Sequence, residues 1–233
     1  MTRLGDRAAA MTKEFRLTDA AAGAHWGAGR LAPEAEARFI DGVAYCERFF
    51  MGNAEAQKAL VKLTALLESE NVPYAVIGAM ALNEYGHLRA TVDVDVVLRD
   101  EDLRQFKERH LGHGYAERVA GTGKLLDTEY GVRIDVLSTG RFPGDGQPKP
   151  IAFPDPATTA VRGARFALLP LSRFIELKLA AGMSAPHRLR DLADILDLIR
   201  STGLPASFAG DLHPWVRGKF LELWAAAQGE DPF

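Results

Sequence analysis

The run Arg89-Ala-Thr91-Val-Asp93-Val-Asp95-Val-Val-Leu98 constrains this chain more than any other stretch. Val92, Val94 and Val96 alternate with two aspartates. In a strand, alternate side chains point to opposite faces. The pattern therefore predicts a strand whose valines enter a core while Asp93 and Asp95 share the other face. Two like charges on one face repel, and a divalent cation between them relieves that repulsion. Taken alone, the pattern reads more readily as a solvated strand face. Its surroundings decide whether it carries chemistry.

Upstream, Tyr74-Ala-Val-Ile-Gly78 reads as a short strand ending in glycine, and Ala79 to about Glu84 as a short helix broken at Tyr85-Gly86-His87. Downstream, Val132-Arg-Ile-Asp135-Val-Leu137 reads as a strand with Ile134 and Val136 on one face and Asp135 on the other. Strands over 115–120 and 124–129 join at Gly121-Thr-Gly123. Short strands are expected near 151–153 and 166–168, with a Gly/Pro loop over 138–150.

Helical periodicity covers the rest. Pro33 opens a helix to about Phe50, with Phe39, Ile40, Val43, Cys46 and Phe50 as its apolar stripe. A second helix spans 54–69 on Ala56, Leu60, Leu63 and Leu67, and a third spans 100–110. Helices follow over 171–181 and 187–201, the latter with Leu189, Leu192, Leu196 and Ile199 as its stripe. One or two more fill 205–227. Residues 1–32 show no clean period and predict an extension or a short helix. The expected division is 1–53 as an N-terminal extension and helix, 54–170 as an α/β core, and 171–233 as a C-terminal helical subdomain.

Strand–Gly–helix–strand with Asp-x-Asp, then a strand with a third Asp, resembles the nucleotidyltransferase fold of the DNA polymerase beta superfamily. The segment Gly78-Ala-Met-Ala81…Gly86-His-Leu-Arg89-Ala-Thr91-Val-Asp93-Val-Asp95 is similar to the small bacterial AbiEii-type members. So is the segment with Lys178…Arg188-Leu-Arg190-Asp191-Leu-Ala-Asp194. The resemblance covers about 70–200. It implies an α/β (α+β) fold: a nucleotidyltransferase-type mixed sheet, flanking helices and a C-terminal helical subdomain.

It also implies an activity, the transfer of an NMP group from an NTP to a hydroxyl acceptor in a two-metal reaction with Mg²⁺ or Mn²⁺. Asp93, Asp95 and Asp135 would be the catalytic carboxylates and metal ligands. Gly78, Ala79, Arg89, Thr91 and Lys178 would face the nucleotide. Position 79 is Ala where the superfamily has Gly or Ser, so the phosphate-contacting hydroxyl is missing.

Plain alternatives stand beside each role. Arg89 could pair with a nearby acid, and Thr91 could reflect β propensity. Lys178 could bridge to Asp191 or Asp194, themselves read as supporting or structural. Arg190–Asp194 and Asp197–Arg200 could be ordinary surface pairs. The acceptor is open between a tRNA end, a protein and a small molecule. Two other functions compete: a non-catalytic nucleotide-binding or interaction module, such as one half of a toxin–antitoxin pair with a cognate antitoxin, and a metal-dependent phosphohydrolase.

Composition narrows these. Of 233 residues, 47% are hydrophobic and 25% charged, with net charge -3. That argues against coating nucleic acid by general charge and leans toward a small or protein acceptor. One cysteine, Cys46, expected in the core, fits a reducing compartment. With no long apolar run, a cytoplasmic protein without membrane association is expected. Gly121-Thr-Gly-Lys124 lacks the leading glycine and the Ser/Thr of a P-loop. His110-x-x-His113 has no third ligand in view, and no Gly-x-Ser-x-Gly occurs.

Overall fold

The computed structural model describes residues 33–52 and 54–229; the expectation for residues 1–32 lies outside them. The chain divides into two compact units, 1–42 and 43–233, and the sheet belongs to the second. Helix α1 is Pro33–Phe50 and α2 is Glu55–Ser69. Then come β1 (Ala75–Ile77), α3 (Gly78–Glu84), β2 (Asp93–Leu98) and α4 (Asp100–His110). Strands β3 (Tyr115–Glu117), β4 (Lys124–Asp127) and β5 (Val132–Ser138) follow. After α5 (Pro156–Thr159) come β6 (Val161–Arg162) and β7 (Ala167–Leu168). Three longer helices close the chain: α6 (Leu171–Ser184), α7 (Leu189–Thr202) and α8 (Pro214–Ala227).

The seven strands form one mixed sheet in the order β3-β4-β5-β2-β1-β7-β6. β2 pairs parallel with β5 and antiparallel with β1, and β1 pairs parallel with β7. Val94 and Val96 are fully buried together with Ile134 of β5, as the alternation requires. Helix α2 packs on β2 and β5, and its predicted stripe Ala56, Leu60, Leu63 and Leu67 is buried. The mixed sheet with flanking helices is the expected fold class. No described helix is long and apolar enough to cross a membrane.

Several expectations differ. Val92 precedes the strand and is exposed. In α1 the packed residues are Tyr45 and Phe49, one step round the helix from the predicted stripe. Val43 and Phe50 are largely exposed, and so is Cys46. The Tyr45 hydroxyl donates to the Thr91 carbonyl at 2.5 Å, which turns that face inward. No strand forms at 151–153, although Phe153 exchanges backbone hydrogen bonds with Gly140 and Arg141. In α7 the buried face is Asp191, Asp194, Ile195, Leu198 and Ile199, whereas Leu189 is 66% exposed. Periodicity misplaced that stripe because the helix buries two carboxylates.

Candidate active site

The site begins with the register. Ile77 of β1 lies opposite Asp95 of β2, Asp95 opposite Asp135 of β5, and Asp135 opposite Lys124 of β4. Residues directly opposite each other across a sheet share a face, and neighbouring strands lie about 4.8 Å apart. Asp95 and Asp135 are thus adjacent on one face. Asp93, two residues before Asp95, joins them. The three predicted carboxylates stand together because two parallel strands happen to be in this register.

Gly78 closes the row. It is the residue at which β1 becomes α3, and its φ is +66°. A Cβ there would lie 2.0 Å from Asp95 Oδ2. The glycine is needed for its backbone conformation and for the space that the carboxylate fills. Ala79 is buried in the first turn of α3, and its carbonyl accepts from Asn83 Nδ2 at 2.8 Å.

Asn83 also holds the segment that leads into β2. Its Nδ2 donates to the Arg89 carbonyl and its Oδ1 accepts from the Arg89 amide, both at 2.8 Å. This anchors Arg89 beside the site, a role nothing in the sequence pattern signalled. The Thr91 hydroxyl donates to Asp93 Oδ1, so it braces the carboxylate.

Helices α6 and α7 supply the opposite wall. Lys178 Nζ donates to Asp191 Oδ1 at 2.8 Å and to Asp194 Oδ2 at 2.7 Å. Arg188 Nε reaches Asp191 Oδ2 at 2.6 Å, and Arg89 Nη1 reaches both Asp194 oxygens at 2.8 and 2.6 Å. The order Arg188–Asp191–Lys178–Asp194–Arg89 alternates charge and carries one net positive charge. The salt bridges weighed for Lys178 and Arg89 are present, while both residues still line the cleft. The surface pair Arg190–Asp194 is not, because Asp194 turns inward. Arg190 lines the cleft without a hydrogen-bond or ion-pair partner among the described residues.

Between the walls is a cleft of about 380 Å³. Gly78, Ala79, Arg89, Thr91, Asp93, Asp95, Asp135 and Lys178 all line it, so every predicted site residue comes together. His187, Arg188 and Arg190 also line it; the sequence suggested no role for His187 or Arg188 and only a surface pair for Arg190. They sit where the chain turns from α6 through a 3-10 segment, Pro186–Arg188, into α7. A two-helix turn carries no periodic signal.

No family model matches the chain, and no curated protein does. Solved structures match. The crystal structure of ANT(2'')-Ia in complex with adenylyl-2''-tobramycin aligns with TM-score 0.44 and 14% identity, over 73% of this chain and 97% of that one. The solution structure of antibiotic-resistance factor ANT(2'')-Ia aligns with TM-score 0.44 and 15% identity, over 72% and 91%. JHP933 from Helicobacter pylori aligns with TM-score 0.38 and 14% identity, over 74% and 89%. Each is a likeness in chain course at low identity.

Electrostatics set what the cleft attracts. Burial pushes the Asp95 carboxyl up to about 6, and the charges of Asp93 and Asp135 push the same way. Asp135 Oδ1 is buried without a hydrogen-bond donor. Among the described residues no three Asp, Glu, His or Cys side chains converge closely enough to form a ready-made metal cage. The donor set nevertheless suits a hard divalent cation: three carboxylates on one face, one oxygen lacking a partner, and one carboxyl whose charge is disfavoured by burial and then by its acidic neighbours.

A pH effect follows with a definite sign. A carboxyl raised in the fold binds more protons folded than unfolded, so stability falls as pH rises from the unfolded value of 3.8 through about 6. With divalent ions chelated, Asp95→Asn should stabilise the protein at neutral pH, by up to about 3 kcal/mol, and have no such effect below pH ~4. Thermal melts of both proteins across pH check this. A pH-independent difference would remove Asp95 as its source.

Proposed function

We propose that this cleft binds a nucleoside triphosphate and transfers its nucleotidyl group to a hydroxyl acceptor, releasing pyrophosphate. The observation that carries it is the row of carboxylates Asp93, Asp95 and Asp135, set between the Gly78 turn and the cation-bearing wall of α6 and α7. The reaction is a displacement at phosphorus, in which catalysis consists mainly of positioning and charge stabilisation.

The residues divide the work by place. The Gly78–Ala79 turn carries no side chain larger than a methyl, and a phosphate there would meet its backbone amides. Lys178, Arg89, Arg188 and Arg190 surround the space beyond it, where the charge of departing pyrophosphate accumulates. Asp135 lies on the side away from Gly78, where an attacking hydroxyl has room, and it takes up that hydroxyl's proton. Thr91 holds Asp93 toward the cleft. A divalent cation on Asp93, Asp95 and Asp135, Mg²⁺ or Mn²⁺, would offset phosphate charge and lower the barrier to forming the attacking alkoxide.

A second reading, nucleotide binding without transfer, has two observations in its favour. Lys178 and Arg89 already share Asp194, and position 79 offers no hydroxyl. One experiment separates the two. The protein is incubated with each α-labelled NTP, Mg²⁺ or Mn²⁺, and pools of RNA, protein and small-molecule acceptors. Transfer is expected, and Asp93→Ala should reduce it about a hundred- to a thousandfold, the order lost when one electrostatic anchor of a transition state is removed. Bound nucleotide with no labelled product in any pool would establish the second reading.

A further inference from the structure

The carboxylates are flanked by cations on two sides, and only one side serves a triphosphate. The second set is Arg118, Lys124 and Arg133. Lys124 lies opposite Asp135 in the β4–β5 ladder, Arg133 lies opposite Asp93, and Arg118 follows β3 beside Lys124. All three residues are exposed. Each forms a long, partly exposed ion pair with an acid: Arg118 with Asp135 at 3.7 Å, Lys124 with Asp135 at 3.6 Å, Arg133 with Asp93 at 3.8 Å. These distances exceed a hydrogen bond. None of the three side chains makes a hydrogen bond among the described residues, so these loose pairs can be exchanged for a stronger anion. They also lie on the Asp135 side of the acids, away from Gly78.

We propose that Arg118, Lys124 and Arg133 dock the phosphates of a nucleic-acid strand and present its terminal hydroxyl to Asp135. The inference rests on the transferase reading and names the acceptor class for it. With the Gly78 side given to the triphosphate, the acceptor enters over β5, β4 and β3. Three cations there favour an anionic acceptor and repel a cationic one. They extend across three strands, two steps of about 4.8 Å, which is more than one phosphate needs. A strand with successive phosphates matches that spread better than a sugar carrying one. The net charge of -3 concealed the strip, since whole-chain charge does not report a local groove.

The test is direct binding, independent of catalysis. A short single-stranded oligoribonucleotide, labelled at its 5′ end and with a free 3′-hydroxyl, is titrated with the full chain at several salt concentrations and followed by anisotropy. The same is done with the triple variant Arg118→Gln/Lys124→Gln/Arg133→Gln, its fold checked by thermal melting. The variant should bind at least tenfold more weakly at low salt. Its log K against log salt slope should be shallower by about 2, since each phosphate-neutralising cation on a single strand contributes about 0.7.

Equal affinity and slope in the two proteins would overturn the proposal. So would displacement of the strand by ribose 5-phosphate at concentrations where it matches unlabelled strand, which would assign the strip to a small phosphorylated acceptor. A transfer arm with α-labelled NTP separates the two levels. Label entering tobramycin or protein but never the strand overturns this proposal and leaves transfer standing. Strand binding through the strip with no transfer to anything upholds the docking and overturns the transferase reading.

Discussion

Asp194→Ala should destabilise the protein by about 3 kcal/mol, the low end of what breaking a buried ion pair costs. Asp194 is 5% exposed at its side chain and accepts from two cations on different elements, Lys178 of α6 and Arg89 ahead of β2. Removing it strands both. Lys178, itself 10% exposed, keeps Asp191, which limits the loss. Arg89 keeps nothing; its Nε is already buried without a partner, so its guanidinium must move to reach water. Asp194→Asn should cost less, because an amide oxygen still accepts one of these bonds.

Urea denaturation of the three proteins reads the effect as a lower midpoint at unchanged slope. An Asp194→Ala midpoint within error of the parent would show that the network carries no net stability and serves only to aim its cations. A buried pair can be nearly neutral against an apolar replacement. The replacement that matters is therefore removal of one partner.

What could be read from residues and what could not follows the same division. Asp93, Asp95 and Asp135 were legible because a strand's period of two fixes the face of every residue on it. Their adjacency was not: a register shifted by one residue would send Asp135 to the opposite face, and no pattern within 132–138 specifies the partner strand. Gly78 was legible as a turn, yet its tight fit against Asp95 is a contact between elements. The α7 stripe failed because apolar periodicity assumes that cores are apolar, and here two aspartates are inside because Lys178 and two arginines meet them. In α1 the same periodicity selected Cys46 over Tyr45, whose hydroxyl could be buried only because the Thr91 carbonyl accepts it. Arg118, Lys124 and Arg133 are far apart in local pattern and come together only through the pairing of β3, β4 and β5.

Gly78→Ala should destabilise the protein by several kcal/mol, a large effect for a single methyl. Two costs fall on it together. The φ of +66° is disfavoured for an L side chain by about 1–2 kcal/mol. The added Cβ would also lie 2.0 Å from Asp95 Oδ2 and 2.9 Å from its Cγ, so the carboxylate must leave its place or β1 must shift. Overpacking of this kind costs about 1–3 kcal/mol.

A double-mutant cycle separates the two terms. In an Asp95→Gly background the clashing side chain is gone, so Gly78→Ala should there cost only the backbone term, about 1–2 kcal/mol. The difference between backgrounds measures the contact itself. A zero difference would mean that the carboxylate yields freely and that Gly78 serves the turn alone. A difference of 1 kcal/mol or more would tie the position of Asp95 to the Gly78 backbone, making the fit of Gly78 against Asp95 a positioning device as well as a packing one.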